Sequence, residues 1–279
     1  MVTESIAPTG KDRILVLDSG VGGLSILSEI RAQLPSLSVD YIADHKFFPY
    51  GSKTQSQLND RVSFLIEFML QRAAENGYSY RLAVIACNTA STVVLDNLRA
   101  SFDLPFVGVV PAIKPACSNS DNKRVGLLAT EGTVTRDYTH GLIRSFAADH
   151  QLTLVGSADL VTFAEQKLSG KALDVQALVT ILRPFKEAEV DTIVLGCTHF
   201  PLLIEELNAA ADWPVTWVDS GKAIAQRVAY LLSEGNISER TVTEDDRAGS
   251  VVFLSTDIHR VSFSEETKQA FSDVESLNV

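Results

Sequence analysis

The sequence predicts an α/β protein made of two similar doubly wound lobes with mostly parallel central sheets. Three observations carry this: strands alternate with helices along the chain, the strands read as short continuous apolar runs, and the first half is echoed in the second. The echo sets GLLATEGTV against LVLDSGVGG at a shift of about 112 residues, Gly132 against Gly20. Two stretches share a further grammar, LAVIACNTAST at Leu82–Thr92 and DTIVLGCTHFPLL at Asp191–Leu203. Each is a buried run that ends in a cysteine with hydroxyl or amide neighbours, and Cys87 and Cys197 stand 110 residues apart.

Taken in order, RILVL at Arg13–Leu17 is a strand closed by Asp18, followed by the turn SGVGG and a helix through Leu24, Leu27 and Ile30 that Pro35 ends. Val39–Ala43 is a second strand, leading into the aromatic loop DHKFFPYGSK, and Asn59–Glu75 has the periodicity of an amphipathic helix. Leu82–Ala86 is the third strand, with a helix from Thr89 to about Ala100, then Pro105 and the short run FVGVV. A second series starts at KRVGLLATEGTV, with a helix around Tyr138–Phe146, the strand LTLVG, a helix over Asp174–Glu187 and the strand Thr192–Leu195. VTWVDSGKAIAQRVAYLL reads as strand plus helix, the polar stretch at 236–250 as a loop, and the end as a strand VVFLSTD with a C-terminal helix. Lobe boundaries fall near Val109 and Ser220: residues 1–108 with 221–279 form one lobe and 109–220 the other.

Composition narrows the class. The chain has 279 residues, 46% hydrophobic and 21% charged, which is ordinary for an ordered globular protein. No run approaches the ~18 apolar residues of a membrane span, and MVTESIAPTGKD has neither the basic start nor the apolar core of a secretion leader, so the cytoplasm is the expected compartment. Three dispersed cysteines form neither a disulfide framework nor a CxxC zinc pair, and the other histidines stand in no zinc-like spacing, so no metal is expected. A net charge of −11 without any Lys/Arg cluster argues against a protein that binds nucleic acid by neutralising phosphates.

The chemistry concentrates at strand tips. In Asp18-Ser-Gly-Val-Gly-Gly, Ser25 stands where a dinucleotide fingerprint has its third small residue and the P-loop lysine is missing, so nucleotide binding is weakly supported. The turn serves either as a plain tight turn or to aim Asp18, Ser19 and backbone amides at a small zwitterion. Taken singly, Cys87 and Cys197 read as small core residues. As a pair at matching strand ends, each at a helix start, they read as an acid and a base on opposite faces of one carbon, which is what inversion of a stereocentre requires. Cys117 lacks that setting and reads as structural. Cys197-Thr-His199 also fits a cysteine nucleophile with its histidine, a reading that leaves Cys87 unexplained. Tyr50 and Gly51 either pack as a surface turn between His45 and Lys53 or line a pocket with a hydroxyl and close amides. Glu165 sits on a helix after a strand, where most glutamates are solvated.

DSGVGGLS, PYG, ACNTAST, GLLATEGTV and LGCTHFPLL, in this order and spacing, resemble the cofactor-independent aspartate/glutamate racemase superfamily, in its glutamate racemase branch. The resemblance runs from about Arg13 to Leu232. It implies two lobes with the active site between them, interconversion of L- and D-glutamate without a cofactor, and supply of D-glutamate for peptidoglycan. Carried over by motif position, it implies that Cys87 takes the α-proton of D-glutamate and Cys197 that of L-glutamate. Asp18 would assist Cys87, His199 would assist Cys197, and Glu165 would be a further catalytic glutamate. Ser19, Tyr50, Gly51, Asn88, Thr89, Thr198, Asp18 and His199 would bind the substrate, with Thr130 and Thr133 as further contacts. Around Glu165 the chain departs from the family's Cys-Pro and LVPLVE-like run, carrying Ala158-Asp159 and LVTFAE. GSAD at 156–159 and PAIKPA resemble the Gram-negative branch, which implies a muramyl peptidoglycan precursor as activator; resembling enzymes are commonly homodimers.

Overall fold

A computed structural model describes residues 13–234, 249–277 and 279 of the chain. The leader reading at residues 1–12 and all but Gly249 and Ser250 of the polar stretch 236–250 lie outside the described residues. In chain order the first elements are β1 (Arg13–Asp18), α1 (Leu24–Gln33), β2 (Ser38–Ala43), α2 (Gln55–Glu75), β3 (Ala83–Ile85), α3 (Asn88–Ser101) and β4 (Phe106–Gly108). Then come α4 (Ile113–Asn119), β5 (Arg124–Ala129), α5 (Glu131–Val134), α6 (Asp137–Phe146), β6 (Gln151–Gly156), α7 (Asp159–Leu168), α8 (Val175–Glu187) and β7 (Thr192–Leu195). The remainder is α9 (Ile204–Ala210), β8 (Thr216–Val218), α10 (Gly221–Glu234), β9 (Val251–Ser255), α11 (Glu265–Lys268) and β10 (Asp273–Ser276).

The strands form two sheets in which every pairing is parallel: β10-β9-β2-β1-β3-β4 and β6-β5-β7-β8. The second order repeats the core of the first, with β5, β6, β7 and β8 in the places of β1, β2, β3 and β4. The internal echo in the sequence is therefore matched in topology, and β3 and β7, which lead to the two cysteines, are equivalent strands.

Period-two alternation explains why the strands look uniformly apolar. In β1, Ile14 and Val16 face α1 and α10, whereas Leu15 and Leu17 face α2 and α3, so both faces are buried. The second sheet is covered on one face by α7, α8 and α9 and on the other by α4 and α6. Helix α2 begins at Gln55, earlier than its periodicity alone predicts, because Thr54 caps it in a reciprocal pair with Gln57. Its buried stripe, Leu58, Val62, Leu65, Ile66, Met69 and Ala73, follows the helical spacing, and each of the larger side chains contributes about 1.5–3 kcal/mol on burial.

The C-terminus differs from the expectation of a helix. The helix α11 is a single turn capped by Ser264, and the chain then adds β10 to the sheet edge beside β9. DVES carries too few apolar residues to signal a strand, since an edge strand needs neither face fully buried. IKPACSN forms α4, a helix that Pro115 within it and Pro111 just before it hide from a periodicity reading. No helix among the described residues is long and apolar enough to cross a membrane.

Candidate active site

Parallel pairing puts all strand carboxyl ends on one edge of each sheet, the place where open α/β sheets keep ligands. There the tips of the two sheets line one narrow pocket, partly open to solvent. From the first sheet it is lined by Ser19 after β1, Tyr50 and Gly51 after β2, and Cys87, Asn88 and Thr89 after β3. From the second it is lined by Thr130 and Thr133 after β5 and by Cys197, Thr198 and His199 after β7. The two cysteines thus share one pocket.

Each cysteine has its own surroundings. Cys87 is the N-cap of α3, and its Sγ lies 4.0 Å from Ser19 Oγ. Burial, and then the negative charge of Asp18, push the Cys87 thiol well above its ordinary range, against the opposing hydrogen bond from the Ala90 amide. Cys197 Sγ lies 3.9 Å from His199 Nδ1, and His199 Nε2 lies 3.0 Å from Glu165 Oε1. Burial alone would lower the His199 imidazole, but its hydrogen bonds to Cys197 and Glu165 prevail and raise it from 6.5 to about 10. Burial would likewise raise Glu165, and the hydrogen bond from His199 outweighs it and lowers the carboxyl. The ring thus bridges the Cys197 sulfur and the Glu165 carboxylate through its two nitrogens.

Asp18 and Glu165 reach the pocket through other groups. Asp18 is fully buried and accepts from the Gly20 amide at 2.8 Å and from Thr198 Oγ1 at 3.0 Å, which ties the first sheet's glycine turn to the second sheet's cysteine loop. Ser25 Oγ donates to the Thr198 carbonyl at 2.8 Å across the same seam. The glycines here are required by close approach: a Cβ on Gly22 would fall 2.2 Å from His199 Nδ1. Glu165, on α7, also receives the Val21 amide at 3.4 Å, so it is held from both sheets despite the local departure in its motif.

The structure also places residues that sequence spacing leaves open or misses. Tyr50 lines the pocket, but its hydroxyl donates to Asp44 Oδ2 at 2.9 Å. His45 is buried against Ser255 and Lys53 lies over the Phe47 ring. Phe48, Pro49, Val161 and Gly196 complete the wall, and apolar residues of this kind carry no chemical signature in a sequence. Arg136, half-buried with its Nε donating to the Gly132 carbonyl, has the pKa of its guanidinium lowered by burial and is a cation that no motif marks. Asn88 Nδ2 is buried without a hydrogen-bond partner. Buried donors are nearly always paired, so an orphan in a pocket wall suits a ligand acceptor such as a carboxylate. Among the described residues no group of three or more His, Cys, Asp and Glu side chains is placed to hold a metal ion.

The ion pair gives stability a pH dependence of definite sign. A histidine whose folded value lies above its unfolded value contributes fully below about 6.5, and that contribution is lost as pH rises through about 10. The raised Cys87 thiol adds a further loss that begins only above its ordinary value of 9.0. The difference in thermal midpoint between the wild type and His199→Gln should therefore shrink between about pH 7 and pH 10. A difference that stays constant over that range would show that His199 is not held as the imidazolium.

Comparison with known proteins gives the family of the chain. The family described as Asp/Glu/Hydantoin racemase matches residues 14–228. The glutamate racemase of Shewanella sp. (strain MR-7) is 49% identical over 239 residues, 86% of each chain. The crystal structure of Escherichia coli glutamate racemase in complex with L-glutamate and the activator UDP-MurNAc-ala has a TM-score of 0.84 at 44% identity, covering 96% of this chain and 98% of that one. Glutamate racemase isoform RacE1 from Bacillus anthracis has a TM-score of 0.79 at 27% identity, with the same coverage. The chain belongs to the Asp/Glu/Hydantoin racemase family. Within it the chain stands with the glutamate racemases, and it is an amino-acid racemase, an isomerase.

Proposed function

We propose that this protein interconverts L- and D-glutamate by proton transfer between two thiols, Cys87 and Cys197. The observation that supports this best is the pair itself: both cysteines line one pocket, and they follow equivalent strands of two sheets with the same strand order. In the L-to-D direction Cys197 takes the α-proton and Cys87 delivers a proton to the opposite face; the D-to-L direction exchanges the roles. Two bases acting from opposite faces need no rotation of the substrate.

The surroundings divide the work. The His199 imidazolium, held by Glu165, offers a hydrogen bond to the Cys197 sulfur as it takes up and releases charge. Cys87, held as a thiol by burial and by Asp18, is suited to donate. A bound substrate ammonium offsets the Asp18 charge and eases the reverse step. Ser19, Asn88, Thr89 and Thr198 supply hydroxyl and amide groups to the α-amino and carboxylate groups, the orphan Asn88 Nδ2 foremost, while Tyr50 and Gly51 form the facing wall. The α-carbon is a very weak acid, so donors fixed in advance around a closed pocket carry much of the stabilisation.

The same reading gives two lobes, meeting near Val109 and Ser220, that open and close over the substrate; Ser220 Oγ donates to the Val110 carbonyl at 2.6 Å where the two connections pass. It also gives a cytoplasmic enzyme that supplies D-glutamate for peptidoglycan, works as a homodimer and responds to a muramyl precursor such as the activator bound by the Escherichia coli relative. The test is the circular dichroism of D-glutamate over time with purified protein and no added cofactor. The signal should decay to zero as the mixture becomes racemic, and a constant signal would overturn the proposal. Aspartate in the same assay separates the two acidic substrates.

A further inference from the structure

Asp44 follows β2 and is fully buried, with both carboxylate oxygens saturated by donors from separate parts of the chain. Its Oδ2 accepts from Tyr50 Oη at 2.9 Å and Arg61 Nε at 2.9 Å. Its Oδ1 accepts from Arg61 Nη2 at 2.6 Å and Thr256 Oγ1 at 2.9 Å. The Asp44 amide donates to the Asp18 carbonyl at 2.9 Å, so the same residue is joined to the catalytic turn. The Arg61 guanidinium lies 5.8 Å from the Phe47 ring centre, and Phe47 meets Tyr50 edge-on at 6.3 Å. None of these groups except Tyr50 lines the pocket.

We propose that Asp44 and Arg61 are positioning residues: they pin the Tyr50 ring and the Gly51 turn at the distance from the two thiols that substrate binding requires. A bidentate guanidinium and carboxylate pair fixes direction as well as distance, which suits holding a phenol in one orientation. The phenol spends its hydroxyl on this anchor, so its contribution to the pocket is the placement of a wall. Thr256 completes the anchor from just beyond β9, past residue 228 where the family match ends, so the last part of the chain braces the pocket.

The proposal rests on the racemase reading for its assay and is tested by steady-state kinetics in both directions. Arg61→Met should raise KM for glutamate about tenfold with a smaller change in kcat, below the ~100-fold that an ångström of misplacement at the reacting atoms costs. Arg61→Lys, which keeps the charge but not the fork, should recover part of that loss. Thr256→Val, which leaves Asp44 three donors, should raise KM about threefold and provides the reading if Arg61→Met fails to fold. A merely structural role lowers the active fraction, which scales apparent kcat and leaves KM unchanged. Wild-type KM in folded Arg61→Met and Thr256→Val would overturn the proposal, whereas a wild type that does not racemise glutamate would overturn the reading beneath it.

Discussion

Replacing either Cys87 or Cys197 by alanine should abolish racemisation in both directions, by at least about 1,000-fold, while the protein still folds. In the proposed mechanism each thiol is the acid for one direction and the base for the other, so losing either one stops both. A single cysteine can remove a proton but returns it to the same face. Both side chains are small and neither is part of a disulfide, so the thermal midpoint should move by only a few degrees. The measurement is optical activity of each enantiomer alongside a melting curve. A cysteine–histidine hydrolase would tolerate Cys87→Ala, and full turnover by that variant would remove Cys87 from the mechanism.

The second large effect is expected at His199. The His199→Gln variant should lose about 100-fold or more in kcat/KM, because the Cys197 sulfur loses its charged partner and Glu165 is left beside it unneutralised. Glu165→Gln should cost less, about tenfold, since glutamine keeps a hydrogen bond to the ring and loses only the charge. Thermodynamics constrains the form of both losses. The two enantiomers have the same free energy in water, so their equilibrium constant is unity and kcat/KM must fall equally in the two directions. The asymmetry between the Cys87 and Cys197 environments can appear only as a split between kcat and KM. A fully active His199→Gln variant would show that the ring serves packing alone.

Much of the fold is legible because of how parallel sheets are built. Strands buried on both faces must be apolar throughout, and Arg13–Leu17, Leu82–Ala86 and Thr192–Leu195 stand out for that reason. The cysteines are legible because a reactive group after such a run interrupts it abruptly. What stays hidden is whatever depends on contacts distant in sequence. Asp44 reads as a turn residue until Arg61 and Thr256 are brought to it, 17 and 212 residues away. Glu165 is legible as a helical residue, but its value lies in reaching His199, 34 positions on. Asp18 is legible as a strand-tip carboxylate; that it ties the Gly20 turn to Thr198, rather than lining the pocket, depends on how two lobes meet. Asn88 looks like an ordinary helix-opening residue, and only burial reveals its unpaired amide.

Solvent isotope incorporation separates two thiols working on opposite faces of one carbon from a single base. D-glutamate is turned over in D₂O, the reaction is stopped early, and α-deuterium is measured separately in the two enantiomers. Deuterium should appear in the L-glutamate formed and almost none in the remaining D-glutamate, because the proton leaves to one thiol and a solvent-derived deuteron arrives from the other. Equal labelling of both enantiomers from the first turnovers would point to one base serving both faces and would contradict it.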